Sequence, residues 1–319
     1  MAFTAKTACS HYIDALGDLG VFLAANGWTE RYSSAPPTGG WSGALTAGEI
    51  GYKSFEGPGV DSSQRVYIHI QTSDVGGKFV WLLYGSTAYS AGSAQTPWTQ
   101  PGAMGGVYLS LRDTSIDHIF YANDRRFIVV AKMGASYNSM YAGFFMPFAL
   151  PDEYSFPLYV AGTSAIPRSY NDANNGHSGF ADPGAGSAKV RCYDGTVRDV
   201  DNRVTDQALN FRTSGERVVV WPRGVSRNSI TPASASSNYW GECGFQNMVL
   251  NENEESPLFQ AHLIDGVAGH VLGGLDGVYH VTGEGRSAEQ VTSNGGRDFM
   301  LFTNAGHAGD GDFFAVEEV

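Results

Sequence analysis

Cysteine is scarce in this chain. The 319 residues include three, Cys9, Cys192 and Cys243, far apart and without a CxxC pair. An odd number at such spacing argues against a disulfide framework or a zinc site built on local cysteine pairs, and suits free thiols in a reducing cytoplasm. Charge is thin as well: Asp, Glu, Lys and Arg make up 16% of the residues, against about 25% in an average soluble domain. The 20 basic residues are outnumbered by 32 acidic ones, the formal net charge is -12, and no basic run is longer than Arg125-Arg126. A nucleic-acid grip needs the opposite balance or a dense basic patch, so that class is not expected. No stretch of eighteen apolar residues marks a membrane span. The opening MAFTAKTACSHYID lacks the basic and then apolar regions of a signal peptide, so a cytoplasmic origin is expected. The motifs HExxH, GxxxxGK[ST] and GxSxG are missing, and no two of the eight histidines stand at metal-ligand spacing. No cofactor, metal or catalytic residue is expected.

Glycine, by contrast, is abundant at 41 residues, and aromatics reach 13%. Many turns and many β-favouring side chains predict a predominantly β chain of α+β class. One helix is predicted, over 10–26. Ser10 is placed to cap it, Asp14 sits early where the helix dipole favours an acid, and Ile13, Leu16, Leu19 and Leu23 recur at helical spacing. Asn26-Gly27 is its stop. Strands are predicted at Arg65–Gln71, Lys78–Tyr84, Ile116–Tyr121 and Arg126–Met133. Tyr137–Phe148 follows Gly134-Ala135-Ser136 as the second arm of a hairpin. Residues 85–106 read as a long loop. Leu150–Gly162, with two prolines, reads as an extended aromatic arm or an edge, because proline cannot donate to a ladder. Short strands are expected near Lys189–Tyr193 and Arg217–Trp221, with Asp194-Gly195 as a turn. Four more follow at Phe259–Ile264, Leu275–Thr282, Phe299–Thr303 and Phe313–Val316, patterned as a small barrel- or sandwich-like unit. Loop composition divides the chain into 1–165 (the helix packed on an antiparallel sheet, with the central hairpin), 166–265 (a loop-rich β segment) and 266–319 (a small C-terminal β unit).

The chemical signals are weak. Gly283 to Ala288 fits a loose GxGxxA, but no helix-forming sequence follows, and a simple turn is the better reading. Asp199, Asp201 and Asp206 are candidate calcium ligands without the glycine and terminal glutamate of an EF-hand, so a solvated loop is favoured. His307 with Asp310 and Asp312 reads as the polar tip of a glycine-rich hairpin. Asp152-Glu153 and Glu252, Glu254 and Glu255 are paired carboxylates of the kind glycosidases use, but sequence neighbours do not set the separation the chemistry needs. Aromatic residues are the stronger signal. Tyr137, Tyr141, Phe144, Phe145, Phe148, Tyr154, Phe156 and Tyr159 fall within 23 residues. Part of such a group must be core. The density exceeds what one hairpin buries on its own faces, so Tyr141, Phe144, Phe145, Phe148, Tyr154, Phe156 and Tyr159 are the candidate interface to a neighbouring subunit.

Several motifs carry a resemblance. They are Asn26-Gly27-Trp28-Thr29 after the helix, Asn123 to Lys132 with Tyr137 to Phe148, and then Tyr154, Pro157-Leu158 and Gly162. Further along come His177 to Pro183, Tyr193-Asp194-Gly195, Leu275 to Tyr279, and Phe299 to Phe302 before Asp312-Phe313. Through these the chain resembles virion structural proteins from the tail gene modules of tailed bacteriophages. The likeness implies a non-enzymatic tail or baseplate component, made in the host cytoplasm and carried in the virion, a symmetric homo-oligomer bound to itself and to other tail proteins. Two other readings compete. One is a host-receptor module that holds a surface glycan, with the loop tryptophans Trp41, Trp98 and Trp240 as contacts. The other is a polysaccharide-degrading tail enzyme, which requires two carboxylates about 5–10 Å apart in a cleft.

Overall fold

The computed structural model describes residues 2–4, 7–34, 51–60, 63–91, 96–172, 180, 186–200, 218–221, 258–265, 270–281, 286–303 and 313–318. It begins with strands β1 (Ala2–Phe3) and β2 (Thr7–Cys9), followed by helix α1 (Tyr12–Ala25). Ile13, Leu16, Leu19 and Leu23 are all buried, as the spacing predicts. The expected cap is displaced by one residue. His11 is the N-cap and makes no side-chain cap bond, while Ser10 hydrogen-bonds the Asp14 carboxylate. The predicted stop is present: Gly27 takes φ +84, and the Trp28 N–H donates to the Leu23 carbonyl at 3.0 Å, the long bond of a Schellman ending.

A five-stranded antiparallel meander comes next: β3 (Thr29–Ser33), β4 (Tyr52–Gly57), β5 (Val66–Asp74), β6 (Phe79–Ser86) and β7 (Met104–Leu111). The last strand corrects the loop expected over 85–106. Its opening Met104-Gly105-Gly106 has no strand pattern, yet Gly105 and Val107 pair with Tyr84 and Leu83 around a bulge. The remaining strands are β8 (Ile116–Ala122), β9 (Arg126–Met133), β10 (Ser136–Phe144), β11 (Met146–Pro147), β12 (Leu158–Ala161), β13 (Ala188–Arg191), β14 (Val197–Val200), β15 (Val218–Trp221), β16 (Phe259–Asp265), β17 (Val271–Val281), β18 (Val291–Asn294), β19 (Arg297–Thr303) and β20 (Phe313–Glu317). With β1 and β2 they form one 15-stranded sheet in the order β1-β8-β9-β10-β12-β13-β14-β15-β16-β17-β20-β19-β18. Pairing is antiparallel except between β14 and β15.

So many twisted strands cannot lie flat, and the sheet curls. β11 reaches across to pair with β17, and Phe302 of β19 packs on Tyr121 and Tyr137. The curl does not close into a barrel, because the path of pairing ends at β1 and β18. It leaves β8, β9, β10 and β12 as a middle layer. On one side lies a core shared with α1 and the meander, holding Phe127, Val129, Met140, Phe144, Leu158 and Val160. On the other lies a core shared with the later strands, holding Ile128, Val130, Tyr141, Phe145, Tyr159 and Phe314. Alternate residues of the same strands thus enter different cores.

One further expectation changes. Leu158–Ala161 is an interior strand paired on both sides, with β10 and β13, and Pro157 stands just before it, where no ladder donor is lost. The boundaries near 165 and 265 do not coincide with a break in the sheet: β12 pairs β13 across the first, and β16 pairs β17 across the second. The C-terminal strands continue that sheet, which does not close into a barrel.

Candidate functional site

Five of the seven proposed interface aromatics are core residues of their own chain. Tyr141, Phe144, Phe145, Tyr154 and Tyr159 are each at most 2% exposed. The middle layer is buried on both faces, so it absorbs twice the aromatic surface that a hairpin with one dry face can. Their polar atoms are satisfied internally: Tyr141 Oη–H donates to the Phe144 carbonyl and Tyr154 Oη–H to that of Arg191, both at 2.8 Å. Phe156 is half-buried, at φ +53, with its N–H held by Gln64 Oε1 at 2.9 Å. Phe148 alone of the seven is exposed, at 66%, and Leu150 beside it is 62% exposed. The Phe148 N–H donates to the Leu272 carbonyl, its ring meets His262, and the exposed Val271 adjoins Leu272 in sequence.

The outer face of the meander carries a second group. Trp98, on a 3-10 turn Pro97–Thr99, is exposed and packs against half-buried Tyr84. Beneath this face His69 is fully buried, with Ser54 Oγ 2.8 Å from Nδ1 and Ser86 Oγ 2.8 Å from Nε2. Ser86 donates its own hydroxyl proton to the Ala88 carbonyl. It therefore accepts from Nε2–H, while on the other side Ser54 Oγ–H donates to Tyr52 Oη, which lies 3.4 Å from Nδ1. Burial drives the His69 pKa down to about 3. The arrangement is a closed structural network and offers no open base. Glu56, also buried, is held between Arg31 and Arg65.

A third group was not legible in the sequence. Cys9 on β2, Asp18 on α1 and His118 on β8 bring a sulfur, a carboxylate oxygen and an imidazole nitrogen within 4.8 Å of one another. The pairing of Thr7 with His118 and Cys9 with Ile116 puts β2 beside β8, and α1 lays Asp18 over the pair, 3.0 Å from His118 Nε2. The His118 ring is fixed by stacking on Phe120, centroids 4.3 Å apart. Cys9 Sγ–H donates towards the carbonyls of His11 and Ile116. Burial first, then Asp18 and Asp14, push this thiol up to about 12. That is the reverse of the electropositive surroundings that activate a nucleophilic cysteine. Burial also lowers the His118 pKa against the pull of Asp18.

The remaining candidates do not assemble a site. Asp199 is engaged by Lys189 across β13 and β14. Asp152 and Glu153 are exposed, and Glu153 Oε2 accepts the Leu150 N–H at 3.1 Å. Ser287 and Gln290 form a turn, while Gly283 to Gly285 lie outside the described residues. Trp41, Trp240, Asp201, Asp206, Glu252, Glu254, Glu255, His307, Asp310 and Asp312 lie outside the described residues. No helix among the described residues is long and apolar enough to cross a membrane. No protein-family model matches the chain, and no curated protein matches its sequence.

Proposed function

We propose that this chain is a structural protein of a tailed-phage virion, a tail or baseplate component that works through subunit interfaces and performs no catalysis. The observation that supports this reading best is the apolar surface around Phe148, Leu150 and Val271. Two large side chains within three residues stand in water although two cores in the same chain are well filled, and apolar groups left out in this way mark contact sites. The interface expected of the aromatic segment is thereby reduced to its exposed end. Calibrated mass spectrometry of purified particles tests the reading. A copy number near three, six or twelve is expected of a ring component, and absence from the particle would refute it. Phe148→Asp with Leu150→Asp should leave the isolated protein folded, since surface changes cost within about 0.5 kcal/mol, while its incorporation into particles falls.

A glycan-binding role is the second reading, and Trp98 beside Tyr84 is the observation that favours it. Trp98→Ala would then abolish adsorption to the host while particle assembly stays intact. Unchanged adsorption leaves the assembly reading alone.

A further inference from the structure

We propose that Cys9, Asp18 and His118 form a binding site for one divalent transition-metal ion, zinc(II) by the character of its donors. The three potential ligand atoms come from three elements and already lie within 4.8 Å of one another. A thiolate with an imidazole selects zinc-type ions over magnesium or calcium, which take oxygen shells. Three protein ligands leave a fourth tetrahedral position, and the exposure of Asp18 gives that position to water.

The electrostatics point the same way. Asp14 lies one turn before Asp18 on α1, and each raises the free energy of the Cys9 anion. Among the described residues, the ion-pair partners of these two carboxylates are imidazoles, His11 and His118, and no lysine or arginine pairs with them. A divalent cation would neutralise this field and replace the thiol proton: Cys–SH and the ion give the metal thiolate and one released proton. Binding therefore tightens as pH rises. The imidazole is prepared for the role, 2% exposed and locked by Phe120. The bound ion would pin β2 and α1 to β8, at the start of the 15-stranded sheet.

Cobalt(II) titration of the purified full-length protein, stripped with chelator, tests the site. One equivalent should produce a thiolate-to-cobalt charge-transfer band with intense tetrahedral d–d bands, and zinc(II) should erase both. Cys9→Ser should remove the charge-transfer band, His118→Asn should remove binding, and Asp18→Asn should weaken it by roughly 10-fold or more. Cys192→Ser and Cys243→Ser should change nothing. If Cys9→Ser fails to fold, the surface variant Asp18→Asn carries the test, with the zinc-induced rise in Tm as a second readout: present in the parent protein, diminished in the variant. A spectrum without the charge-transfer band, a band that survives Cys9→Ser, or a Tm indifferent to zinc overturns the proposal.

Discussion

Arg126 is the largest charged side chain sealed inside the protein, with none of its surface exposed. Its partner Asp276 lies 3.5 Å away on β17, where Asn123 also hydrogen-bonds it. The pair ties the middle layer to the later strands. Removing one partner leaves a charge in a dry site, which costs far more than the pair contributes. Asp276→Ala is expected to destabilise the fold by about 2–4 kcal/mol in urea titration. A loss under 0.5 kcal/mol would mean that the arginine reaches water. At this scale the sequence was readable where a side chain acts with near neighbours, as Asp194-Gly195 does: Gly195 takes φ +81, and Asp194 holds Thr196. Residues meeting from distant elements left no such trace. Nothing in the spacing of Cys9, Asp18 and His118 announces that the pairing of β2 with β8 will join them.

The elements legible in advance are those whose stability is local or whose pattern is strong. Helix α1 ended where Asn26-Gly27 required, because the left-handed residue after the last turn is easily supplied only by glycine. No heavy atom stands near a Cβ built at Gly27, so Gly27→Ala isolates the conformational cost. A loss of about 1 kcal/mol is expected by thermal denaturation, without change in helix content. Strands β7 and β12 were misread for a shared reason. One opens on Met104-Gly105-Gly106 and takes its order from β6 and a single bridge from Tyr108 to Ser164; the other follows Pro157 and takes its order from β10 and β13 on its two sides. Where these two strands meet, the Gly162 N–H bonds Ser187 and the Thr163 N–H bonds Tyr108. A Cβ on Gly162 would sit 2.4 Å from the Tyr108 carbonyl oxygen. Gly162→Ala should cost about 1–3 kcal/mol, since backbone and not a flexible side chain must yield. An unchanged unfolding midpoint would show that the two sheets can slide apart here.

For the molecule as a whole, two buried histidines make stability depend on pH. Burial lowers His69 from 6.5 to about 3 and His280 to about 4. Below pH 6.5 the unfolded chain takes up protons that the folded one refuses. The stabilisation from keeping both rings neutral is therefore complete above about 6.5 and is lost progressively as pH falls towards 4 and then 3. Urea midpoints measured from pH 7.5 to 4.5 should fall steadily, and His69→Gln should flatten the slope. A flat profile in the parent protein would mean that these rings gain protons without unfolding. The acidic net charge of -12 works the other way, since protonating surface carboxylates relieves self-repulsion.

By itself, the sequence determined the class: glycine-rich turns and β-favouring runs with a single amphipathic helix make an α+β chain dominated by antiparallel strands, because those preferences act within a few residues. It also marked the aromatic segment as denser than one hairpin can bury on its own faces. What it could not decide was which surface would bury those aromatics. Alternation along a strand says that two faces differ, but whether the second face is dry depends on what the rest of the chain brings to it. Here the curl of the long sheet carried β17, β19 and β20 over one face while the meander covered the other, so side chains that read as a subunit interface became the middle of the molecule. Of the seven, Phe156 is half-buried, and Phe148, past the end of β11, is exposed with Leu150 beside it.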